Sequence, residues 1–375
     1  MSMFHELMMR KKGQIMYATI KGTLTENDGV FSGFSGTNYL ELQNNIDTTQ
    51  DYEIVVKFVN STSKYHSVIL GSNSTANSIK IEISYGTRFF IFLSSNGTSW
   101  NIANGAYGLA NAMSLGNTYY MKLTYSSVNG YKLFLSTDKI NWSLQWSNGT
   151  TNALYMTNAK FILGASLFDN NSLGGSIDLN NNSYIKLGST KYNLQAVVGY
   201  TIVGSPTITD GVVSGFSSAN YLTLTLDKNV SNITEYVFKF KLTSEGLRNQ
   251  YNYLFRRGNF QFSIYGTTTN FSIPTMYLPT YNQNVSLTGF VPVVDNWYWV
   301  KYTYDGTTVK LYSSTDGITW TIRNTVTNVT VAGSSGTFYL GFADTNVNSY
   351  FGGEIDLNET YIKVNGKLWF NGQQA

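Results

Sequence analysis

The sequence has no cysteine, only four prolines and only two histidines among its 375 residues. Without cysteine there can be no disulfide, no thiolate zinc site and no cysteine nucleophile. The two histidines, His5 and His66, lie far apart in the sequence, and isolated imidazoles make neither a zinc site nor a catalytic triad. Enzymes that depend on thiols, zinc or histidine are therefore not expected from this chain.

Charged side chains and long apolar runs are also scarce. Charged residues make up 13% of the chain, against about 25% in an average soluble protein. The formal charge is +3 and much of the excess lies in Arg10, Lys11 and Lys12, so no nucleic-acid partner is predicted. No apolar run reaches about 18 residues, so no membrane insertion is expected. Residues 1–12 place their charge after the apolar stretch, so no secretory signal is predicted.

The abundant residue types favour β-structure. The chain contains 28 tyrosines, 22 phenylalanines and 34 glycines, and 42% of it is hydrophobic. Aromatic residues suit strands and glycine suits turns, while the hydrophobic content argues against disorder. The length suits two domains, because single domains usually have about 100–200 residues.

An internal repeat is the strongest feature of the sequence. Four segments recur in the same order roughly 180 residues further on. A repeat of this length indicates a duplicated domain, which predicts an N-terminal segment at 1–14 and two domains at 15–194 and 195–375. The paired segments are 28–34 with 210–216, 119–125 with 298–304, 136–142 with 314–320, and 174–180 with 352–358.

Strand and turn signals define the fold class. Residues 119–125 and 300–304 alternate large and polar side chains, which is the period of a half-buried strand. Asn129-Gly130, Asp305-Gly306 and Asp316-Gly317 are hairpin dipeptides, because glycine tolerates the positive φ that tight turns require. Many short strands between regular turns predict an all-β protein with two tandem antiparallel β-sandwich (jelly-roll) domains.

The N-terminal segment has a different pattern. Met3, Phe4, Leu7 and Met8 recur at helical spacing, and the basic cluster follows them, where it suits the helix dipole. This predicts a short amphipathic helix, with a disordered arm as the alternative.

The end of each repeat resembles a known family. The segments 352–358, 361–363 and 366–369 are similar to the closing strands of concanavalin A-like lectin/glucanase (laminin-G-like) jelly rolls. Tandem domains of this kind behind such an N-terminal segment resemble fibre or adhesin structural proteins of tailed bacteriophages.

The resemblance implies a location and partners. It implies a protein of the virion that forms a homo-oligomer, with a trimer expected, and that binds cell-surface glycans. It also implies that the N-terminal segment docks onto other virion proteins. The anchoring candidates in that segment are Phe4, Leu7, Arg10, Lys11 and Lys12.

The acids of the second repeat raise the question of catalysis. Glu354, Asp356 and Glu359 match the Glu-x-Asp-x-x-Glu pattern of glucanases in the same family. Retaining hydrolysis needs two carboxyl groups about 5–5.5 Å apart, but in a regular strand Glu359 points away from Glu354, so catalysis would require a bulge. The first repeat has Ser176 and Asn181 in place of the two glutamates. A non-enzymatic protein is predicted, and a glycoside hydrolase using Glu354 and Glu359 is one alternative.

Ligand sites are expected in loops. Trp100 and Trp146 lie near loops rich in glycine and asparagine and are the tryptophans predicted to stack on sugar rings. The loops 169–171 and 344–346 offer oxygen ligands that suit Ca²⁺, and no other cofactor is expected. The leading prediction is a non-catalytic virion fibre or adhesin that binds glycans. A decoration protein with only protein partners is the other alternative.

Overall fold

The computed structural model describes residues 15–27, 29–43, 46–74, 76–157, 159–180, 182–225, 234–258, 260–278, 283–329, 337–342 and 350–374. Its regular elements in these ranges are β-strands and one 3₁₀ turn at Ser244–Gly246, which confirms the all-β prediction. The chain divides into two compact units, Met1–Ala196 and Val197–Ala375. The predicted N-terminal helix lies outside the described residues. Within the described part of the chain, no helix has the length and apolarity needed to cross a membrane.

The first unit consists of short strands joined by tight turns. They are β1 (Ile15–Lys21), β2 (Thr25–Asn27), β3 (Val30–Ser32), β4 (Tyr39–Leu42), β5 (Tyr52–Asn60), β6 (Ser67–Ser72), β7 (Ile79–Ser84), β8 (Arg88–Leu93), β9 (Ala103–Tyr107), β10 (Thr118–Ser126), β11 (Gly130–Ser136), β12 (Ser143–Asn148), β13 (Phe161–Leu163), β14 (Gly175–Asp178), β15 (Tyr184–Leu187) and β16 (Thr190–Val203), the last of which continues into the second unit.

These strands form two antiparallel sheets. Sheet I has the order β2-β3-β14-β5-β10-β11-β12, and β15 also pairs with β5. Sheet II has the order β1-β4-β13-β6-β7-β8-β9. Side chains alternate between the two faces of a strand, so Ile54 and Phe58 of sheet I and Ile81 of sheet II meet in one buried core.

The second unit repeats this design. Its strands are β17 (Thr207–Thr209), β18 (Val212–Ser214), β19 (Tyr221–Thr225), β20 (Thr234–Leu242), β21 (Gln250–Arg257), β22 (Phe260–Gly266), β23 (Thr275–Leu278), β24 (Gln283–Ser286), β25 (Trp297–Tyr304), β26 (Val309–Ser314), β27 (Thr321–Val326), β28 (Thr337–Leu340), β29 (Gly353–Val364) and β30 (Lys367–Gln374).

The strand orders of the two units correspond one to one. Sheet I of the second unit runs β17-β18-β29-β20-β25-β26-β27, and its sheet II runs β16-β19-β28-β21-β22-β23-β24. The single strand β29 occupies the place that β14 and β15 share in the first unit. The prediction of two tandem antiparallel sandwiches is therefore confirmed.

A close contact between glycine and an aromatic ring explains part of the repeat. Gly164 has φ +85°, and a Cβ added to it would lie 2.1 Å from the ring of Phe34. Gly341 has φ +77°, and a Cβ there would lie 2.1 Å from Phe216. Both rings belong to the repeated Ser-Gly-Phe segments, so the repeated residues fill the same space in each core.

The repeated Ser-Thr-Asp segments form tight turns. The Asp138 carboxylate accepts hydrogen bonds from the backbone amides of Ile140 and Asn141, both at 2.8 Å. Asp316 accepts the equivalent bonds from Ile318 and Thr319 at 2.8 and 2.7 Å. The turn at Asp316-Gly317 was expected from the sequence, and Gly317 has the positive φ of +72° that such a turn requires.

Candidate functional site

The outer face of sheet II in the first unit carries an unusual mixture of side chains. Alternate residues of β7, beginning at Ile79, point into the core, so Lys80 and Glu82 lie on the opposite face. Their neighbours across the β7–β8 pair are Phe92 and Phe90, and Phe90 in turn lies opposite Tyr107 of β9. The register of three strands therefore brings charged and aromatic residues together on one surface.

Aromatic rings form a continuous row along this face, which we call the aromatic row. Phe90 stacks on Tyr107 with ring centroids 4.6 Å apart and packs edge-on against Phe92 at 4.6 Å. Its outer members are exposed: 61% of Tyr85, 45% of Tyr107, and 42% each of Tyr65 and Phe168 is accessible to solvent. The row consists of Tyr85, Tyr65, Tyr107, Phe90, Phe92, Trp100 and Phe168.

Loops complete both ends of the aromatic row. At one end Trp100 packs against Phe92 at 5.5 Å and against Phe168 at 5.3 Å. Phe168 lies in the loop that the Ala165–Ser172 bridge closes. At the other end, Tyr65 lies 4.7 Å from Tyr85. Strands therefore fix the middle of the row, and loops position its ends.

Polar groups lie along the same row. The guanidinium of Arg88 lies 3.9 Å from the centre of the Tyr107 ring, within the range of a cation–π contact. Interaction with the Tyr107 hydroxyl is the largest cause of a raised pKa at Tyr65. The surface therefore offers flat apolar faces with hydrogen-bonding groups beside them.

Four ionisable side chains lie beside the rings: Lys80, Glu82, His66 and Asp169. We call them the buried charged cluster after Lys80 and Glu82, whose side chains are 6% and 0% exposed, whereas those of His66 and Asp169 are 29% and 26% exposed. The Lys80 Nζ lies 2.6 Å from Asp169 Oδ2 and 3.5 Å from Glu82 Oε2. His66 contacts the other carboxylate oxygen of Glu82 through Nδ1. Burial raises the pKa of Glu82, and the charges of Lys80 and His66 only partly oppose this shift.

The corresponding face of the second unit has a different composition. The cross-strand pair Phe255–Phe262 corresponds to the pair Leu70–Ile81 of the first unit. In β22, Gln261 therefore occupies the place of Lys80, and Ser263 occupies the place of Glu82. Tyr251 is 50% exposed and lies 5.1 Å from Tyr265 and 6.1 Å from Tyr253. This face keeps aromatic rings and replaces the central charges with neutral polar groups.

The acids of the second repeat lie on the outer face of sheet I. Pairing between β20 and β29 is interrupted, because Asp356 lies opposite Lys239 whereas Tyr361 lies opposite Val237. The residues between them form the bulge that a catalytic arrangement would need. The bulge brings Glu359 to the same lysine as Asp356, with Lys239 Nζ at 3.2 Å from Glu359 and 2.8 Å from Asp356.

Each glutamate of this pattern has a cationic partner. Glu354 pairs with Lys241 at 3.0 Å, and Glu359 also accepts a hydrogen bond from Trp299 Nε1 at 3.0 Å. Burial acts to lower the pKa of Lys239, but Asp356 and Glu359 outweigh it and raise that pKa. Both glutamates of the glucanase-like pattern are therefore held in ion pairs with lysines of β20.

The aspartate shared by both repeats, Asp178 in the first and Asp356 in the second, closes a turn. Asp178 accepts a hydrogen bond from the backbone amide of Asn180 at 2.8 Å, and Asp356 accepts one from Asn358 at 3.0 Å. Asp178 also pairs with Lys57 at 2.7 Å. The two aspartates therefore have the same structural role in the two units.

The predicted ligand residues occupy different surroundings. Trp100 belongs to the aromatic row, whereas Trp146 is partly buried and packs against the core of the first unit. Of the two calcium loops, the first places Asp169 against Lys80, and Asp344 and Asn346 of the second lie outside the described residues. Calcium binding stays a prediction. The anchoring candidates in residues 1–14 lie outside the described residues as well.

The sequence alone did not predict most of the aromatic row, and it did not predict that the residues of the buried charged cluster lie together. The only signal was the alternation of isoleucine with Lys80 and Glu82 along β7, which indicates a polar outer face. It does not indicate that this face is covered, yet Lys80 is 4% and Glu82 0% exposed. The partner Asp169 lies 89 residues from Lys80 in the chain.

Comparison with known proteins adds likenesses of fold. No protein-family model and no curated protein matches the chain. Among solved structures it is similar to mouse laminin α1 chain domains LG4-5, at 13% identity and a TM-score of 0.31, over 97% of this chain and 98% of that one. It is also similar to the VIP36 exoplasmic/lumenal domain in its Ca²⁺/Man-bound form, at 10% identity and a TM-score of 0.30, over 43% and 79% of the respective chains.

A third similar structure is domain 4 of AbnA, a GH43 extracellular arabinanase from Geobacillus stearothermophilus, in complex with arabinotriose. It has 17% identity and a TM-score of 0.32, over 46% of this chain and 85% of that one. Laminin G domains and VIP36 have concanavalin A-like jelly-roll folds. Because these TM-scores are below 0.5, the likenesses carry no argument about function, and the fold class rests on the strand pairing.

Proposed function

We propose that this chain binds carbohydrate without transforming it, and that the aromatic row of the first unit is the binding surface. The observation that carries the proposal is a continuous row of rings whose outer members are 42–61% exposed. Large aromatic side chains are usually buried in sandwich cores, and a contiguous exposed set of them typically marks a binding surface.

The chemistry of the row suits sugar rings. A pyranose or furanose has a face of C–H groups that stacks on an aromatic ring, and hydroxyl groups at its edge that need hydrogen-bond partners. The row supplies the flat faces, and Tyr65, Tyr107 and Arg88 supply polar groups beside them. Apolar rings with a few well-placed polar groups are the usual lining of a small-molecule site.

The lack of catalysis is part of the proposal. Glu354 is paired with Lys241, and Glu359 is paired with Lys239, so both carboxyl groups that glycoside hydrolysis would use already have a lysine as partner. The alternative of a hydrolase predicts turnover of β-glucans that disappears in Glu354→Gln. We expect no turnover of β-glucans by the unaltered chain.

A glycan array probed with the full chain tests the proposal. We expect saturable binding to particular oligosaccharides, with strong loss in Tyr85→Ala and Trp100→Ala. Tyr251→Ala is the matched control, because Tyr251 is an exposed tyrosine on the corresponding face of the second unit. A blank array would contradict carbohydrate binding and favour the decoration protein. Binding that is lost only in Tyr251→Ala would refute the proposal, because it would indicate a site in the second unit.

The finer role, a trimeric fibre or adhesin of a virion, is proposed on the sequence resemblance alone. It predicts that deletion of residues 1–12 leaves both units folded and prevents incorporation into the parent particle. Circular dichroism of the deletion variant and particle assembly with it measure the two parts. Normal incorporation would refute the anchoring role without affecting the carbohydrate proposal.

A further inference from the structure

Three members of the buried charged cluster bring an amine into contact with two carboxyl groups. The Lys80 Nζ lies 2.6 Å from Asp169 Oδ2, and Glu82 Oε2 lies 3.5 Å from the same nitrogen. The Lys80 side chain is 6% exposed and the Glu82 side chain is 0% exposed. The amine of Lys80 and the carboxyl group of Glu82 are thus held out of water, and the Asp169 carboxyl group, whose side chain is 26% exposed, contacts the same amine.

The surroundings of this cluster are apolar. The ring centre of Phe92 lies 4.2 Å from Lys80 Nζ, and Trp100 and Phe168 continue the aromatic cover beyond it. Glu82 Oε2 is buried and has no hydrogen-bond partner among the described residues. Separated charges are costly in such an environment, so a reaction that removes one positive and one negative charge is favoured there.

We propose that Lys80 and Asp169 condense to an intramolecular isopeptide bond, with Glu82 as the catalytic residue that transfers protons. The neutral amine of Lys80 attacks the Asp169 Cγ, a C–N bond forms and a C–O bond breaks, and the leaving oxygen departs as water. One ammonium and one carboxylate become one amide and one water molecule, so atoms and charge balance without an oxidant or other co-reactant.

Glu82 Oε2 lies 3.5 Å from Lys80 Nζ, and in the proposed reaction Glu82 carries out both proton transfers. It can accept a proton from the Lys80 ammonium and donate one to the departing oxygen of Asp169. Burial raises its pKa, and a group whose pKa is moved toward neutrality transfers protons efficiently in both directions. Contact of reacting groups in a fixed geometry supplies much of the rate of such a condensation.

The second unit contains a similar trio that lacks this environment. Lys239 lies between Asp356 and Glu359, but the side chains of Lys239 and Glu359 are 14% and 17% exposed, against 6% for Lys80 and 0% for Glu82. Both carboxylate oxygens of Glu359 have hydrogen-bond partners, Lys239 and Trp299, whereas Glu82 Oε2 has none among the described residues. This trio is an ion-pair network, and it supplies a control within the same chain.

The bond would have a structural consequence. It would join β7 to the loop that carries Phe168, across 89 residues of a chain without cysteine. A covalent link across a long segment restricts the unfolded chain as a disulfide does. It would also fix one end of the aromatic row, although the bond itself does not depend on carbohydrate binding.

Intact-mass spectrometry of the denatured full chain tests the proposal. We expect a mass lower than the sequence mass by one water, and a cross-linked peptide pair containing Lys80 and Asp169 after proteolysis. Lys80→Arg, Asp169→Ala and Glu82→Gln should each restore the full mass. Lys239→Arg is the matched control and should keep the loss of water.

Two controls separate bond formation from a failure to fold and from a reaction at an aspartate alone. Circular dichroism of Glu82→Gln shows whether that variant is folded. If it is unfolded, Lys80→Arg, which keeps the positive charge, supplies the test instead. Full sequence mass in the folded unaltered chain after prolonged incubation would overturn the proposal. Loss of water that persists in Lys80→Arg would also overturn it, because that result indicates succinimide formation at an aspartate instead.

Discussion

The contact between Gly164 and Phe34 gives a prediction whose size follows from the structure. Substitution Gly164→Ala places a Cβ at a residue with φ +85° and 2.1 Å from the Phe34 ring. The left-handed backbone costs about 1–2 kcal/mol for a residue with a Cβ. Overpacking of a filled core costs about 1–3 kcal/mol more. We therefore expect Gly164→Ala to lower the free energy of unfolding by about 2–5 kcal/mol.

A second substitution separates the two contributions. Phe34→Ala removes the ring that the new methyl group meets, so the double variant keeps the backbone cost and loses the overpacking cost. Phe34 is 7% exposed, and its removal alone should cost up to about 3–5 kcal/mol. The double variant should then be more stable than the sum of the single effects predicts, by about 1–3 kcal/mol.

Urea unfolding of the full chain, followed by tryptophan fluorescence, measures these effects from the transition midpoint and its slope. Gly116→Ala is the matched control, because Gly116 has φ +77° with nothing within 4 Å of an added Cβ. It should show the backbone cost alone and no coupling to Phe34. Additive single effects, or a Gly164→Ala change no larger than that of Gly116→Ala, would refute the packing argument.

Further predictions concern the turns, the tryptophans and the acids. Backbone amides lower the pKa of Asp138 and Asp316. Both ionised carboxylates therefore stabilise the fold at pH values above the unfolded-state pKa of about 3.9, and this stabilisation is lost as the pH falls below that pKa. Asp138→Ala and Asp316→Ala should therefore flatten the acid limb of unfolding measured against pH, and an unchanged limb would contradict the role of the turns. Trp100→Ala should weaken binding to an oligosaccharide chosen from the array by about 30-fold in titration calorimetry, as the loss of a hot-spot tryptophan does. Trp146→Ala should leave that affinity unchanged and should lower the midpoint of urea unfolding. Glu359→Gln should leave glycan affinity unchanged in the same titration, and a large loss of affinity would move the binding site to the second unit.

Local signals in the sequence were sufficient for the fold class. Alternating residues in 119–125 appear as β10, whose inward side chains Met121 and Leu123 are fully buried. Asp316 and Gly317 form a turn because the short aspartate carboxylate accepts hydrogen bonds from backbone amides and glycine permits positive φ. The repeat predicted two similar sandwiches, because equal patterns of strands and turns satisfy the same packing rules twice.

The bulge in β29 could not be read from the sequence. Residues of the Glu354–Glu359 segment have the pattern of a regular strand as well as that of a bulged one. The ladder breaks between Val237 and Lys239 of β20. The consequence is that Asp356 and Glu359 share Lys239, which no local pattern encodes.

The sequence by itself determined the strands, the turns and the duplication, because these depend on side-chain period and on backbone preferences that act over a few residues. Only the tertiary structure decided that Lys80, Glu82 and Asp169 meet under an aromatic cover, and that Gln261 and Ser263 take the corresponding places in the second unit. Burial and charge pairing depend on residues that are distant in the chain. The same strand pattern can therefore carry Lys80 and Glu82 in one unit and the neutral side chains Gln261 and Ser263 at the corresponding places in the other.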